Sequence, residues 1–266
     1  MELNVSTPFM QARIEDGVGW MMFNNPDRRN AMKLEMNHAV AEILATFDAA
    51  DDVRVVVMYG SGDKAFVSGA DISEFDQHRS TPEGRANFEQ AWATANRAFS
   101  DLRKPLIAMI RGFCIGGGLA TALQSDLRVC ADDSQFGIPA ARLGLGYQFP
   151  GIKNLTHIVG PTLAAEIMLT ARKFTADEAL AMGLINRVVP VAELESTVHE
   201  LAASIAANAP MTVQAAKAAV KETFKDPGQQ DIKRMADLVE ACFLSDDYEE
   251  GRTAFMQKRV PNFQGK

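Results

Sequence analysis

A mainly parallel α/β core over residues 1–190, followed by a helical region over 191–266, is the fold class this sequence predicts. Three observations carry it. Short apolar runs rich in β-branched residues alternate with stretches of helical periodicity through the first half of the chain. The strongest run, Val53 to Tyr59 (VRVVVMY), is apolar almost throughout, as a strand covered on both faces must be. From Gly151 onward the pattern turns helical, and Pro190, Pro210 and Pro227 separate its segments.

Val18 to Phe23 reads as the first strand. Met36, Val40, Ile43 and Phe47 then recur at helical spacing, which predicts an amphipathic helix near 33–51. Val53 to Tyr59 follows, then Leu106 to Ile110 after Lys104-Pro105, then the short run Leu127 to Cys130. Strands joined through helices pair in parallel, because such a pairing needs a long crossover. Thr175-Ala176-Asp177-Glu178 is a capping box, and Gly183 is placed to end the short helix it opens. Val191 to Ala209, Met211 to Phe224 and Asp231 to Phe243 complete the helical region.

Composition excludes several classes of function. With 27 Lys and Arg against 34 Asp and Glu, the net charge of −7 argues against nucleic-acid binding, which wants clustered surplus cations. A small anionic ligand held by a few local bases and backbone N–H groups remains compatible. Cys114, Cys130 and Cys242 form no CxxC pair, so neither a disulfide framework nor a cysteine zinc site is indicated; a reducing cytoplasm fits. His38, His78, His157 and His199 lack ligand spacing, and no metal is expected. Met1 to Ile14 carries Glu2 and no sustained apolar run, so no signal peptide is read there. Arg111 and several glycines interrupt the most apolar stretch, Pro105 to Leu123, which argues against a membrane span.

Gly60-Ser61-Gly62-Asp63-Lys64-Ala65 satisfies G-x-G-x-x-A after a strand, but Phe66 to Gly69 continues as strand or loop rather than opening a helix. It is read as a glycine turn, not a dinucleotide fingerprint. Two other segments are more informative: Lys64 to Ile72 (KAFVSGADI) and Gly112 to Ala120 (GFCIGGGLA). The second follows a strand and opens a helix. Its glycines permit close approach, and the first-turn N–H groups have no intrahelical acceptor. Paired with a free N–H at Ala70, such a donor makes an oxyanion hole for a carbonyl gaining charge. Spacing alone leaves a second reading open, in which the glycines pack the helix against a strand.

These two segments resemble the paired signatures of the enoyl-CoA hydratase/isomerase, or crotonase, superfamily. So do Asn25 to Met32 (NPDRRNAM), Gln135 to Pro139 (QFGIP), Phe174 to Pro190 and Tyr248 to Phe263, in collinear order over about residues 10–263. The resemblance implies a ClpP-like spiral of stacked ββα units with a helical C-terminal trimerisation region, and a homotrimer or dimer of trimers. It also implies a CoA thioester substrate, with coenzyme A arriving as part of it and no tightly bound cofactor. By the match, the N–H groups of Ala70 and Gly117 polarise the thioester carbonyl. Residues 28–31 (Arg28, Arg29 and Ala31 among them), Ser68, and the loop of Ala70, Asp71, Ile72 and Ser73 line the CoA site. Phe255 and Lys258 match C-terminal residues that reach a CoA site, in some members that of the neighbouring subunit.

The chain departs from the hydratases of this family at two positions. A glutamate three residues after the oxyanion glycine and another just after the Phe-Gly-x-Pro motif are here Ala120 and Ala140. Hydration needs one group to activate water and another to deliver a proton, and two methyl groups do neither. Arg142 to Tyr147 (RLGLGY) and Gly151 to Thr156 resemble the methylmalonyl-CoA decarboxylase branch, in which a tyrosine at the position of Tyr147 faces the substrate carboxylate. That branch has histidine where this chain has Ala70. Decarboxylation needs no general base, since loss of carbon dioxide itself leaves the enolate. Tyr147 has a packing reading as well, with its ring over the acyl pocket. Arg142 is open between an anionic ligand and a surface ion pair, and Glu74 is the nearest carboxylate that could replace the missing pair. Three functions therefore follow: an enolate-forming enzyme without the glutamates, a hydratase with acid and base drawn from elsewhere, and a non-catalytic acyl-CoA-binding protein.

Overall fold

The computed structural model describes residues 1–71, 74 and 81–266, the side chain of Arg85 excepted. Among the described residues, ten strands are partitioned between two sheets. The larger has six strands in the order β1-β2-β3-β5-β7-β10: β1 (Met10–Glu15), β2 (Val18–Phe23), β3 (Val55–Gly60), β5 (Leu106–Ile110), β7 (Leu127–Ala131) and β10 (Arg187–Val189). All its pairings are parallel except β1 with β2. The smaller sheet runs β4 (Ala65–Val67), β6 (Phe113–Ile115), β8 (Gln135–Gly137) and β9 (Phe174–Thr175), with only the β8–β9 pairing antiparallel.

From β3 to β8 the chain visits the two sheets alternately. Strands β3 and β4 precede helix α2 (Pro82–Asp101), β5 and β6 precede α3 (Gly117–Ala122), and β7 and β8 precede α4 (Phe149–Thr170). Each turn of the chain is thus a ββα unit, and the units stack into a spiral. Helix α1 (Leu34–Ala49) belongs to the first turn and lies inside the predicted 33–51.

Alternation of side chains along β3 explains its uninterrupted apolar sequence. Val56 and Met58 join one core cluster with Met36, Val40, Ile43 and Phe47 of α1, together with Phe66 of β4. Val55 and Val57 face the opposite side, with Trp20, Ile107 and Val129. That second face is covered by α6 (Leu194–Ala206) through Leu194, Val198 and Ala202. The first helix after residue 190 therefore completes the sheet's packing.

The capping box at Thr175 forms, with the Thr175 hydroxyl accepting from Glu178 N–H and the Glu178 carboxylate from Thr175 N–H. It opens α5 (Ala176–Ala181), and Gly183 follows with φ of +73°. Helix α7 (Pro210–Glu222) is anchored by a buried ammonium: Lys217 Nζ lies 2.7 Å from Asp126 Oδ2 and donates to Lys104 O at 2.6 Å. Helices α8 (Ile232–Phe243) and α9 (Asp246–Gln257) leave Ile232, Val239, Phe243, Phe255 and Met256 exposed. Among the described residues no helix is long and apolar enough to cross a membrane.

Candidate active site

The site forms where β4 and β6 end. Beyond β4 the chain runs through Ser68, Gly69 and Ala70 beside residues 28–32. Ser68 N–H donates to Arg29 O at 3.1 Å and its hydroxyl to Arg28 O at 3.3 Å. Met32 N–H donates to Gly69 O at 2.8 Å, and Asp71 N–H to Met32 O at 2.9 Å. This short parallel bridge places the N–H of Ala70 on the other side of the strand from Met32. Among the described residues that N–H has no acceptor.

Beyond β6, Gly116 turns the chain with φ of +57° and donates its N–H to Gly137 O at 2.8 Å. Gly117 opens α3, so its N–H is one of the first-turn donors that the helix leaves over. A Cβ built on Gly117 would lie 3.7 Å from Ala70 N, and one built on Gly69 would lie 4.0 Å from Gly117 N. These distances bring Gly117 and the backbone nitrogen of Ala70, 47 residues apart in the chain, side by side. Gly118 serves a different end: a Cβ there would lie 1.9 Å from Val67 O, so only glycine lets α3 rest on β4. The packing reading of this glycine run holds at Gly118, and its neighbour Gly117 leaves a first-turn N–H beside Ala70.

The two positions at which the sequence departs from the hydratases are alanines. Ala120 follows one turn along α3, its N–H donating to Gly116 O at 3.0 Å. Ala140 is buried just after Pro139, whose Cδ lies 3.8 Å from the Cβ position of Gly116. Glu74 is engaged elsewhere: its Oε2 accepts from Leu34 N–H at 3.0 Å and so caps the start of α1. Asp71 is buried beside Ala70. The thiols of Cys114 and Cys130 are buried and held protonated, the latter pushed up to about 12, so neither is a nucleophile at neutral pH.

Of the other predicted positions, Ala31 is buried, and Arg28 and Arg29 are exposed. The Arg29 guanidinium lies 5.2 Å from the centre of the Phe113 ring. Ile72, Ser73 and His78 lie outside the described residues. Tyr147 is half-buried against the main core, its ring 3.0 Å from the Cβ position of Gly151, and burial pushes its hydroxyl up to about 12. Arg142 is exposed. Phe255, 82% exposed, touches little of its own chain, and Lys258 ends α9 with φ of +54°. Within one chain these two are not gathered with residues 28–32, 68–71 and 117. Gly60 to Gly62 form the turn between β3 and β4, with Asn30 Nδ2 donating to Ser61 O and Ala65 O.

Sequence reasoning missed Trp92. Its Cη2 lies 3.7 Å from the Cβ position of Gly117, beside the paired donors. A signal was present: Trp92 precedes the buried Ala95 and Phe99 by three and seven residues and so flanks the buried stripe of α2, yet is itself only half-buried. A cavity of about 460 Å³ lies at the ends of β2, β3 and β5, lined by Tyr59, Ser61, Arg111 and Glu195 among others. None of the residues at the donor pair lines it.

A profile of the enoyl-CoA hydratase/isomerase family matches residues 13–266. Crotonyl-CoA hydratase of Syntrophomonas wolfei is 34% identical over 252 residues, covering 95% of this chain and 96% of that protein. Carnitinyl-CoA dehydratase of Proteus mirabilis is 32% identical over 250 residues, covering 90% and 92%. The crystal structure of an enoyl-CoA hydratase/carnithine racemase from Magnetospirillum magneticum superimposes with a TM-score of 0.93 at 33% identity, covering 98% of this chain and 97% of that one. The ββα spiral, the glycine-opened helix beside Ala70 and these likenesses agree, and the chain belongs to the enoyl-CoA hydratase/isomerase family.

Proposed function

We propose that this protein is an acyl-CoA-processing enzyme that stabilises a thioester enolate between the N–H groups of Ala70 and Gly117, and that its reaction is decarboxylation or another non-hydratase step. The observation that carries this is the closeness of Gly117 to the backbone nitrogen of Ala70, in a chain with alanine rather than glutamate at positions 120 and 140. Two fixed donors aimed at a developing oxyanion contribute about 3 kcal/mol each in a water-poor site. In a decarboxylation the bond to the carboxylate carbon breaks, its electron pair passes into the thioester as an enolate, and carbon dioxide leaves. A proton then completes the product, and no carboxylate base is required. Absence of glutamates here also spares an anionic acyl group the repulsion they would exert.

Residues 28–31, Ser68 and the loop of 70–73 hold coenzyme A in this reading, supported by the backbone pairing that fastens 28–32 to 68–71. Tyr147 orients the reacting acyl group. Phe255 and Lys258 serve a neighbouring subunit's site in a homotrimer or dimer of trimers; their exposure, and that of the apolar residues on α8 and α9, supports this. A second reading, hydration with acid and base drawn from other groups, is favoured by the names of the relatives, crotonyl-CoA hydratase among them.

Separate incubations with malonyl-CoA, methylmalonyl-CoA and crotonyl-CoA, followed by mass spectrometry, test the proposal. Loss of the mass of carbon dioxide from a dicarboxylic thioester is expected. A gain of the mass of water on crotonyl-CoA establishes hydration instead, and binding without any change in mass leaves an acyl-CoA-binding protein.

A further inference from the structure

The paired donors have an aromatic neighbour whose role is not catalytic in the acid–base sense. Trp92 projects from α2, is half-buried, and brings the edge of its indole to 3.7 Å from the Cβ position of Gly117, the same distance that separates that position from Ala70 N. Ala95 and Phe99 of α2 join the main core, whereas Trp92, at the edge of that stripe, belongs to neither core cluster. A carbonyl oxygen held by Gly117 N–H would therefore have that indole edge as a neighbour.

We infer that Trp92 is a specificity-determining residue that walls one side of the carbonyl and selects thioesters whose acyl group is compact next to it. This rests on the reading of Ala70 and Gly117 as the carbonyl's donors. A rigid indole there rejects a fully substituted α-carbon and keeps water from that side of the enolate. Discrimination by a single apolar wall is on the order of 10- to 200-fold per methylene-sized group.

The chain has only two tryptophans, which makes the inference directly readable. Trp20 is 2% exposed on the far face of the larger sheet, among the residues that α6 covers, and does not meet the site. Butyryl-CoA, compact at its α-carbon, and pivaloyl-CoA, fully branched there, serve as probes, with affinities from calorimetry and tryptophan emission followed in parallel. Butyryl-CoA is expected to change the emission of the natural protein and not that of Trp92→Phe, in which only Trp20 remains. Trp92→Ala is expected to shift relative affinity toward pivaloyl-CoA by about tenfold or more. If both thioesters bind by calorimetry but the emission change survives in Trp92→Phe, or the affinity ratio stays fixed in Trp92→Ala, the inference is overturned while the donor assignment stands. If neither thioester gives a binding heat, the acyl-CoA reading fails and the inference falls with it.

Discussion

Two neighbouring glycines at the start of α3 should answer the same substitution in opposite ways. An alanine at 118 puts its Cβ 1.9 Å from Val67 O and 2.6 Å from the carbonyl carbon. Both atoms are backbone of β4, so no rotamer change relieves the overlap. The helix must retreat by roughly 1.5 Å to restore an ordinary contact, more than most overpacked cores absorb, and a cost of about 3 kcal/mol is expected. At 117 the same methyl meets nothing closer than 3.7 Å, and helix propensity favours alanine over glycine by up to about 1 kcal/mol. Thermal melts of both variants beside the natural protein distinguish the cases. Gly118→Ala should melt several degrees lower, at about 2–4 °C per kcal/mol for a chain of this size class. Gly117→Ala should keep its melting temperature yet lose turnover, because its methyl occupies the space between Ala70 N and Trp92. A Gly118→Ala variant that melts with the natural protein would refute the close seating of α3 on β4.

Gly117→Pro removes one donor while keeping a residue suited to a first helical turn, so turnover should fall by about 10²- to 10³-fold in a folded variant. Tyr147→Phe should lower turnover and spare CoA affinity; an unchanged rate confines Tyr147 to its packing on Gly151. In a spectrophotometric phenol titration Tyr147 should ionise near 12, because burial favours its neutral form, and that late step should vanish in Tyr147→Phe. Glu250 is held down at about 2 by the Arg259 guanidinium, whose nitrogens lie 2.6 and 2.7 Å from its two oxygens. Its stabilising contribution is complete above the ordinary carboxylate value near 4.5 and is lost as pH falls toward 2. Melts at pH 5 and pH 2.5 should therefore differ less for Glu250→Gln than for the natural protein.

How much of this was legible in the sequence depended on the range of the interaction concerned. The β3 run, the α1 stripe and the Thr175 capping box were readable because each is set by neighbours a few residues away. Strands β4, β6 and β8 have three residues each, too short for a period, and β1 was not recognised at all. Nothing local says that β3 and β4 belong to different sheets; that division follows from which faces the helices cover. The glycine run pointed to close approach, but only the fold separates Gly118, which seats a helix, from Gly117, which presents a donor. Glu74, considered as a substitute acid, caps a helix that begins 40 residues earlier. Trp92 sits at helical spacing from Ala95 and Phe99 like any residue flanking a buried stripe, and its meeting with Gly117 is a tertiary fact.

The vibrational frequency of a bound thioester carbonyl tests the donor pair most directly. Butyryl-CoA labelled with carbon-13 at its carbonyl isolates that one stretch in an infrared difference spectrum. Two hydrogen bonds from Ala70 and Gly117 should lower it well below its value in water, and Gly117→Pro should return it part of the way. A bound carbonyl that absorbs where the free thioester does, in the natural protein and the variant alike, would contradict an oxyanion hole at this site.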